Sequence, residues 1–337
     1  MANEPTFTAR HLLGLEGMSR ADLLYILDTA SSFREISERE IKKVPTLRGK
    51  TIVALFYEAS TRTRMSFEIA AKRMSADFVS LSSAASSVTK GETLLDTARN
   101  LAAMRPDGII LRHPSSGAPH FLAQRVECPI INAGDGSHEH PTQALLDLLT
   151  IRERRGSLDN LKVAIVGDIL HSRVARSNLH ALRALGAEVR LVGPPTLLPR
   201  ELSQWATITS DLAEGVRGVD VIMTLRIQHE RMGANFFPSL DEYSRYFCVT
   251  EAVVKLAQRE VLIMHPGPIN RGVEIASDVA DGPYSVIMDQ VTNGVALRMA
   301  VLFLLVNRSR EAIEPRSREA TEPLEAAQPA RLRRSAG

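Results

Sequence analysis

The sequence predicts an α/β protein of two parallel-sheet domains with helices on both faces, joined by a hinge. Three observations carry this. Short apolar, β-branched runs alternate with longer stretches of helical periodicity. The alternation breaks at Gly156-Ser-Leu-Asp-Asn and restarts cleanly at Lys162-Val-Ala-Ile-Val. A long apolar segment from about Tyr284 to Asn307 closes the pattern and reads as a helix packing back on the first domain. The expected boundaries are 1–155 for the first domain, completed by the closing helix over about 284–309, and 156–283 for the second.

Ser19-Arg-Ala-Asp resembles a capping box and opens a helix with Leu23, Leu24, Ile26, Leu27 and Ala30 on its inner face. Thr51-Ile-Val-Ala-Leu-Phe is apolar enough for a buried parallel strand. It breaks into Ser60-Thr-Arg-Thr-Arg, and Phe67, Ile69, Ala70, Ala71 and Met74 then follow at helical spacing. Phe78-Val-Ser-Leu is a short strand before a Ser/Ala-rich loop, and a helix is expected from about Thr93 to Met104. Strands follow at Gly108–His113 and from Pro129, with a helix from Pro141 to about Arg154, where proline suits the first turn. In the second half, strands are expected at Lys162–Val166, Glu188–Val192, Asp220–Leu225 and Val261–Met264, with helices between them. From Arg310 to Gly337 the chain has few large apolar residues, and a disordered tail is expected.

The 337 residues suffice for two cores, and 44% hydrophobic with 24% charged residues is a soluble globular composition. A net charge of +2 with few aromatics gives no reason to expect nucleic acid. The longest apolar stretch, Val295 to Val306, is interrupted by Arg298 and too short for a bilayer, so no membrane partner is expected. Cys128 and Cys248 cannot build a disulfide framework or zinc cluster and are expected to be buried small hydrophobes. The first residues show no basic-plus-apolar leader, and a cytoplasmic location is expected. No metal-ligand spacing and no dinucleotide fingerprint occur, so neither metal nor cofactor is expected.

In open parallel sheets, ligands sit beyond the carboxyl ends of the strands. At those ends the first half carries Ser60, Thr61, Arg62, Thr63 and Arg64, then Arg112, then His140 and Gln143. Hydroxyls, arginines and a helix N-terminus in one place suit a phosphate. Singly, Arg112 reads as a surface residue and His140 as a helix cap; together, at corresponding strand ends, they describe a site. The second half repeats the arrangement with His171-Ser-Arg, Arg226-Ile-Gln and His265-Pro-Gly-Pro. Arg173 and Arg226 suit the two carboxylates of a small acid, because guanidinium matches carboxylate bidentately. With no nucleophile beside a base, the chemistry expected is positioning and charge stabilisation between two anions.

These motifs resemble those of the aspartate/ornithine carbamoyltransferases. Ser-Thr-Arg-Thr-Arg (60–64) is similar to the family's carbamoyl-phosphate signature and His-Pro-Thr-Gln (140–143) to its second one. Within the family the chain looks most like the aspartate-using branch, through segments 86–92, 111–114, 134–143, 167–178, 226–231 and 265–268. The ornithine-using branch carries a cysteine where this chain has His265-Pro-Gly-Pro, and Arg226 favours an acidic acceptor by charge.

The resemblance implies transfer of the carbamoyl group of carbamoyl phosphate to the α-amine of L-aspartate, the committed step of pyrimidine synthesis. It implies that Ser60, Thr61, Arg62 and Thr63 hold the phosphate, and that Arg112, His140 and Thr63 approach the carbonyl oxygen. Gln143 receives the carbamoyl NH2, and Gly267 and Pro268 border that group. Arg173, Arg226, Gln228 and Lys90 bind aspartate, with Ser86 and Lys90 reaching in from a neighbouring subunit of a homotrimer. Glu58 is expected to pair with Arg231 across the closing domains. The resemblance leaves open a dihydroorotase or regulatory-chain partner, another amine acceptor, and a silent anion-binding subunit.

Overall fold

Ser19 opens the first helix, α1 (Arg20–Glu38), its hydroxyl accepting the Asp22 N–H at 3.1 Å. The computed structural model describes residues 7–82, 92–227 and 239–307. After α1 come β1 (Thr51–Phe56), α2 (Thr61–Arg73), β2 (Asp77–Ser82), α3 (Leu94–Ala103), β3 (Gly108–His113), α4 (Ala118–Ala123), β4 (Ile130–Asp135) and α5 (Pro141–Arg155). The second set is β5 (Lys162–Val166), α6 (Arg173–Ala184), β6 (Glu188–Val192), β7 (Thr207–Thr209), α7 (Leu212–Val216), β8 (Val221–Thr224), α8 (Leu240–Phe247), α9 (Glu251–Val254), β9 (Leu262–Met264), α10 (Ser277–Ala280) and α11 (Ile287–Val306).

Two sheets result, ordered β2-β1-β3-β4 and β7-β6-β5-β8-β9, and every strand pairing within them is parallel. Strands covered by helices on both faces are buried along their whole length. All six residues of β4 are indeed buried, as are five of six in β1. In each sheet the strand order reverses beside a central strand, and that switch point is where a crevice forms. Register then brings polar tips together. Phe56 pairs with Arg112 across β1 and β3, and Val166 with Thr224 across β5 and β8.

The closing helix starts at Ile287, three residues later than Tyr284, because Ser285 first bridges β9: the Ile263 N–H donates to Tyr284 O and the Val286 N–H to Ile263 O. It packs on α1, α5 and α2, hence on the first lobe. By length and composition α11 could cross a membrane, but 72% of its apolar window is buried inside the protein, as a core helix requires. Arg298 is buried within it. Of the two thiols, Cys248 is buried while Cys128 is only half-buried, and burial still pushes the Cys128 thiol up to about 11. The expectations for Ser86, Lys90, Gln228, Arg231 and the tail 310–337 fall outside the described residues.

Candidate active site

A cleft of about 890 Å³ opens between the two sheets, and Arg62, Arg112, Arg173 and Arg226 all line it. The cleft is also lined by Ser60, Thr61, Thr63, His140, Gln143, Gly267 and Pro268, so every described residue to which the resemblance gives a role is gathered there. Sequence reasoning missed Ser172, Gln290 and Arg298 as lining residues, and Asp147 just beneath them.

On the first lobe, α2 starts at the tip of β1. Ser60 is its N-cap but makes no side-chain capping bond, so the hydroxyl stays available at a terminus whose first N–H groups have no helical acceptor. Arg62 points into the cleft; Arg64 is not among the lining residues and is exposed, a correction to the reading that placed both arginines together. Two residues along a helix turn the side chain by about 200°, so both cannot face one ligand. Thr63 is buried on the inner side. Arg112, at the end of β3, donates from Nη1 to Ala133 O at 3.0 Å, which fixes its reach.

His140 is the N-cap of α5, yet its ring makes no capping bond, so it is no ordinary helix-terminus cap. Its backbone N–H donates to Ser177 Oγ at 2.8 Å, whose hydroxyl donates to the buried Glu139 carboxylate at 2.7 Å. Burial, followed by the nearby Arg112, Arg173 and Arg298, holds the imidazole well below its usual range. It is neutral at physiological pH, and its Nδ1 has no hydrogen-bond partner among the described residues.

On the second lobe, Ser172 caps α6 through the Ala175 N–H and thereby sets Arg173 on the first turn. Arg173 Nη2 donates to Glu58 Oε2 at 2.7 Å, and Arg112 Nη2 lies 3.5 Å from the same oxygen. The lobes are therefore bridged by Glu58 to Arg173, whereas the sequence suggested Arg231, which lies outside the described residues. Gly134, at φ +114°, makes this convergence feasible: a Cβ there would lie 2.9 Å from Arg112 Nη1 and 3.0 Å from Arg173 Nε. Partial burial and the neighbouring Arg226 both lower the Arg62 pKa, a sign that cations from the two lobes face each other.

The loop after β9 is locked from behind. His265 Nε2 lies 3.0 Å from Glu274 Oε1, and its Nδ1 accepts the Gly267 N–H at 2.7 Å. Gly267, at φ +64° before a cis proline, has its α-carbon face against the Arg62 guanidinium, 3.2 Å from where a Cβ would sit to Cζ. One cluster among the described residues, His120, Asp135 and His138, brings three metal-type donors together. Both Asp135 oxygens are already taken up by Asn132, Gly117, Glu139 and His138, so its carboxylate works as a loop clamp.

Two parallel α/β lobes that face four guanidiniums, hydroxyls and a neutral imidazole across one cleft form a transferase site for two small anions. This chain belongs to the aspartate/ornithine carbamoyltransferase family: residues 10–153 match its carbamoyl-P binding domain and residues 159–305 its Asp/Orn binding domain. Among its relatives, the aspartate carbamoyltransferase catalytic subunit of Syntrophotalea carbinolica is 60% identical over 89% of this chain and 96% of that protein. The one from Magnetococcus marinus is 59% identical over 89% and 93%. An aspartate transcarbamoylase from Trypanosoma cruzi, solved with carbamoyl aspartate and phosphate, superposes with a TM-score of 0.81 at 31% identity, covering 90% of this chain and 99% of that one. Ornithine carbamoyltransferase from Pyrococcus furiosus gives the same TM-score, 0.81, at 32% identity over 90% and 99%. Fold alone therefore does not choose the acceptor.

Proposed function

We propose that this chain transfers the carbamoyl group of carbamoyl phosphate to the α-amine of L-aspartate, giving N-carbamoyl-L-aspartate and phosphate, the committed step of pyrimidine synthesis. The observation that carries the reading is the convergence of Arg62, Arg112, Arg173 and Arg226 on one cleft. Four cations there are matched by a phosphate and two carboxylates, whereas a cationic acceptor such as ornithine would meet Arg226 unfavourably.

Carbamoyl phosphate sits with its phosphate at the N-terminus of α2, held by Ser60, Thr61, Thr63 and Arg62. Its carbonyl oxygen faces Arg112, the Thr63 hydroxyl and His140, and its NH2 faces Gln143. Aspartate binds through Arg173 and Arg226, with Gln228 and the neighbouring subunit's Lys90 and Ser86 completing the pocket. The amine attacks the carbonyl carbon, and the oxyanion formed is stabilised by the three donors, which need no reorganisation at that moment. The carbon–oxygen bond to phosphate then breaks, and the departing phosphate takes the ammonium proton. A neutral His140 suits this role, since it donates without placing a further charge among the arginines. Closing the lobes excludes water and aligns amine with carbonyl.

The same reading includes a cytoplasmic homotrimer. Met65 and Ile69 on α2 and Val79 on the edge strand β2 are exposed apolar residues, which supports burial against a second copy. The test is an acceptor panel: with carbamoyl phosphate, aspartate should give carbamoyl aspartate and ornithine no citrulline. Mixing Arg62→Ala with Lys90→Ala subunits should restore activity if sites are shared between copies. Turnover of ornithine in place of aspartate would overturn the proposal.

A further inference from the structure

Under the floor of the cleft lies a carboxylate that the reaction above leaves unused. Asp147, on α5 one turn beyond Gln143, is fully buried. Its Oδ1 accepts from Gln143 Nε2 at 2.9 Å and from Gln290 Nε2 at 2.7 Å. Its Oδ2 accepts from Asn178 Nδ2 at 2.8 Å. Three carboxamides, from α5, α6 and α11, thus turn their NH2 groups onto one acid. An ionised carboxylate can only accept, so none of the three can turn its oxygen inward without meeting negative charge. Burial pushes the Asp147 carboxyl up to about 6, which leaves it ionised at neutral pH, and the buried Arg298 on α11 favours that form.

What each amide presents at its other end is then fixed. Gln290 Oε1 accepts the His265 N–H at 3.0 Å and so holds the start of the loop that carries Gly267. Gln143 lines the cleft, and with its NH2 turned inward onto Asp147 its carbonyl oxygen is the end turned toward a ligand. We infer that Asp147 is a positioning residue that sets substrate choice: it turns the Gln143 carbonyl oxygen toward the cleft as an acceptor, and so selects an acyl phosphate whose carbonyl carbon bears NH2 over one bearing methyl. The inference rests on the carbamoyl-phosphate reading of the cleft and goes beyond it.

Acetyl phosphate is the probe, since it differs from carbamoyl phosphate by methyl in place of NH2 and cannot donate to Gln143. Equilibrium binding of both to the whole protein gives their affinity ratio without requiring turnover. Asp147→Ala should narrow that ratio by about tenfold, the worth of one well-placed hydrogen bond to a fixed acceptor. In a Gln143→Ala background the same change should alter the ratio by no more than about twofold. Asp147→Asn should retain the selectivity. It keeps one oxygen for Gln143 and Gln290, and Asn178, whose Oδ1 has no partner among the described residues, can turn to accept from the new amide. Thermal melts check folding. If Asp147→Ala does not fold, Asp147→Thr takes its place, because a hydroxyl both donates and accepts and so imposes no direction on the amides. Equal weakening of both phosphates, or an undiminished effect in the Gln143→Ala background, would overturn the inference. A wild-type protein that shows this selectivity yet makes no carbamoyl aspartate would overturn the proposed reaction alone.

Discussion

The wall built by the first sheet and the wall built by the second differ in how their cations are held. Arg112 is fixed to Ala133 O and Gln143 to Asp147 by bonds within or beneath the first wall, and the His140 backbone is tied through Ser177, on α6 of the second lobe, to Glu139. On the second wall Arg173 is held by Glu58, a residue of the opposite lobe. On the proposed phosphate side Arg112 and Gln143 are held from their own lobe, while on the proposed acceptor side Arg173 is engaged by a carboxylate of the other lobe that also lies 3.5 Å from Arg112. In the proposed reaction the acceptor carboxylate shares Arg173 with Glu58, which holds the guanidinium in place for it. The contrast teaches that preorganisation need not be symmetrical: one wall is held largely from its own lobe, the other through a bridge to the opposite lobe.

The sharpest way to break this comparison is Arg62→Ala. It removes a phosphate contact used in binding and in leaving-group departure, and turnover should fall by on the order of 10³ or more. Near-normal turnover in a steady-state assay would refute its assignment to the phosphate site. Arg226→Ala should instead raise the KM for aspartate by about 10²-fold, the worth of a charged hydrogen-bonded pair. Carbamoyl phosphate affinity, measured by equilibrium dialysis, should stay within about twofold. Comparable loss of both ligands would show that the walls do not act separately. Glu58→Gln releases Arg173 and Arg112 from their shared carboxylate. It should weaken aspartate use by about tenfold with carbamoyl phosphate binding intact, since losing one partner of a half-buried pair misplaces the other.

The smallest effect is on stability. Asp147 has its carboxyl raised from 3.8 to about 6 by burial, so the folded state binds the extra proton between those values. Ionisation of this group therefore lowers stability as pH rises through that window, the reverse of a salt-bridged acid. The melting temperature of Asp147→Asn relative to wild type should accordingly be higher at pH 7.5 than at pH 4. A difference independent of pH would contradict the burial argument.

Much of the fold was legible because buried parallel strands leave an unambiguous signal. The apolar runs of β1, β3, β4, β5 and β6 stand at or within a residue or two of their predicted places. What escaped is short. α4 has six residues and opens at Gly117 in the left-handed region, and β7 has only three, too few for either to show a period. The signatures placed the ligand-facing residues after β1, β3, β4, β5 and β8. They could not show what holds those residues. Gln290 and Arg298 lie in a helix that reads as plain apolar packing, and Asp147 looks like a surface acid on the helix after His140. Their roles come from long-range pairings, 143 residues apart for Asp147 and Gln290, which a local pattern cannot carry. Glu58 was recognised as a bridge, and its expected partner Arg231 lies outside the described residues; only the folded chain shows Arg173 and Arg112 within its reach as well.

The central claim is that opposite walls grip the two ends of one joined pair of acids. Its most direct test is a crystal structure with a bisubstrate analogue carrying a phosphonate and two carboxylates. The phosphonate should lie at the start of α2 against Ser60, Arg62 and Thr63, with the carboxylates on Arg173 and Arg226 and the carbonyl oxygen within hydrogen-bond reach of Arg112 and His140. An analogue seated on one wall only, with Arg173 and Arg226 out of contact, would contradict the account.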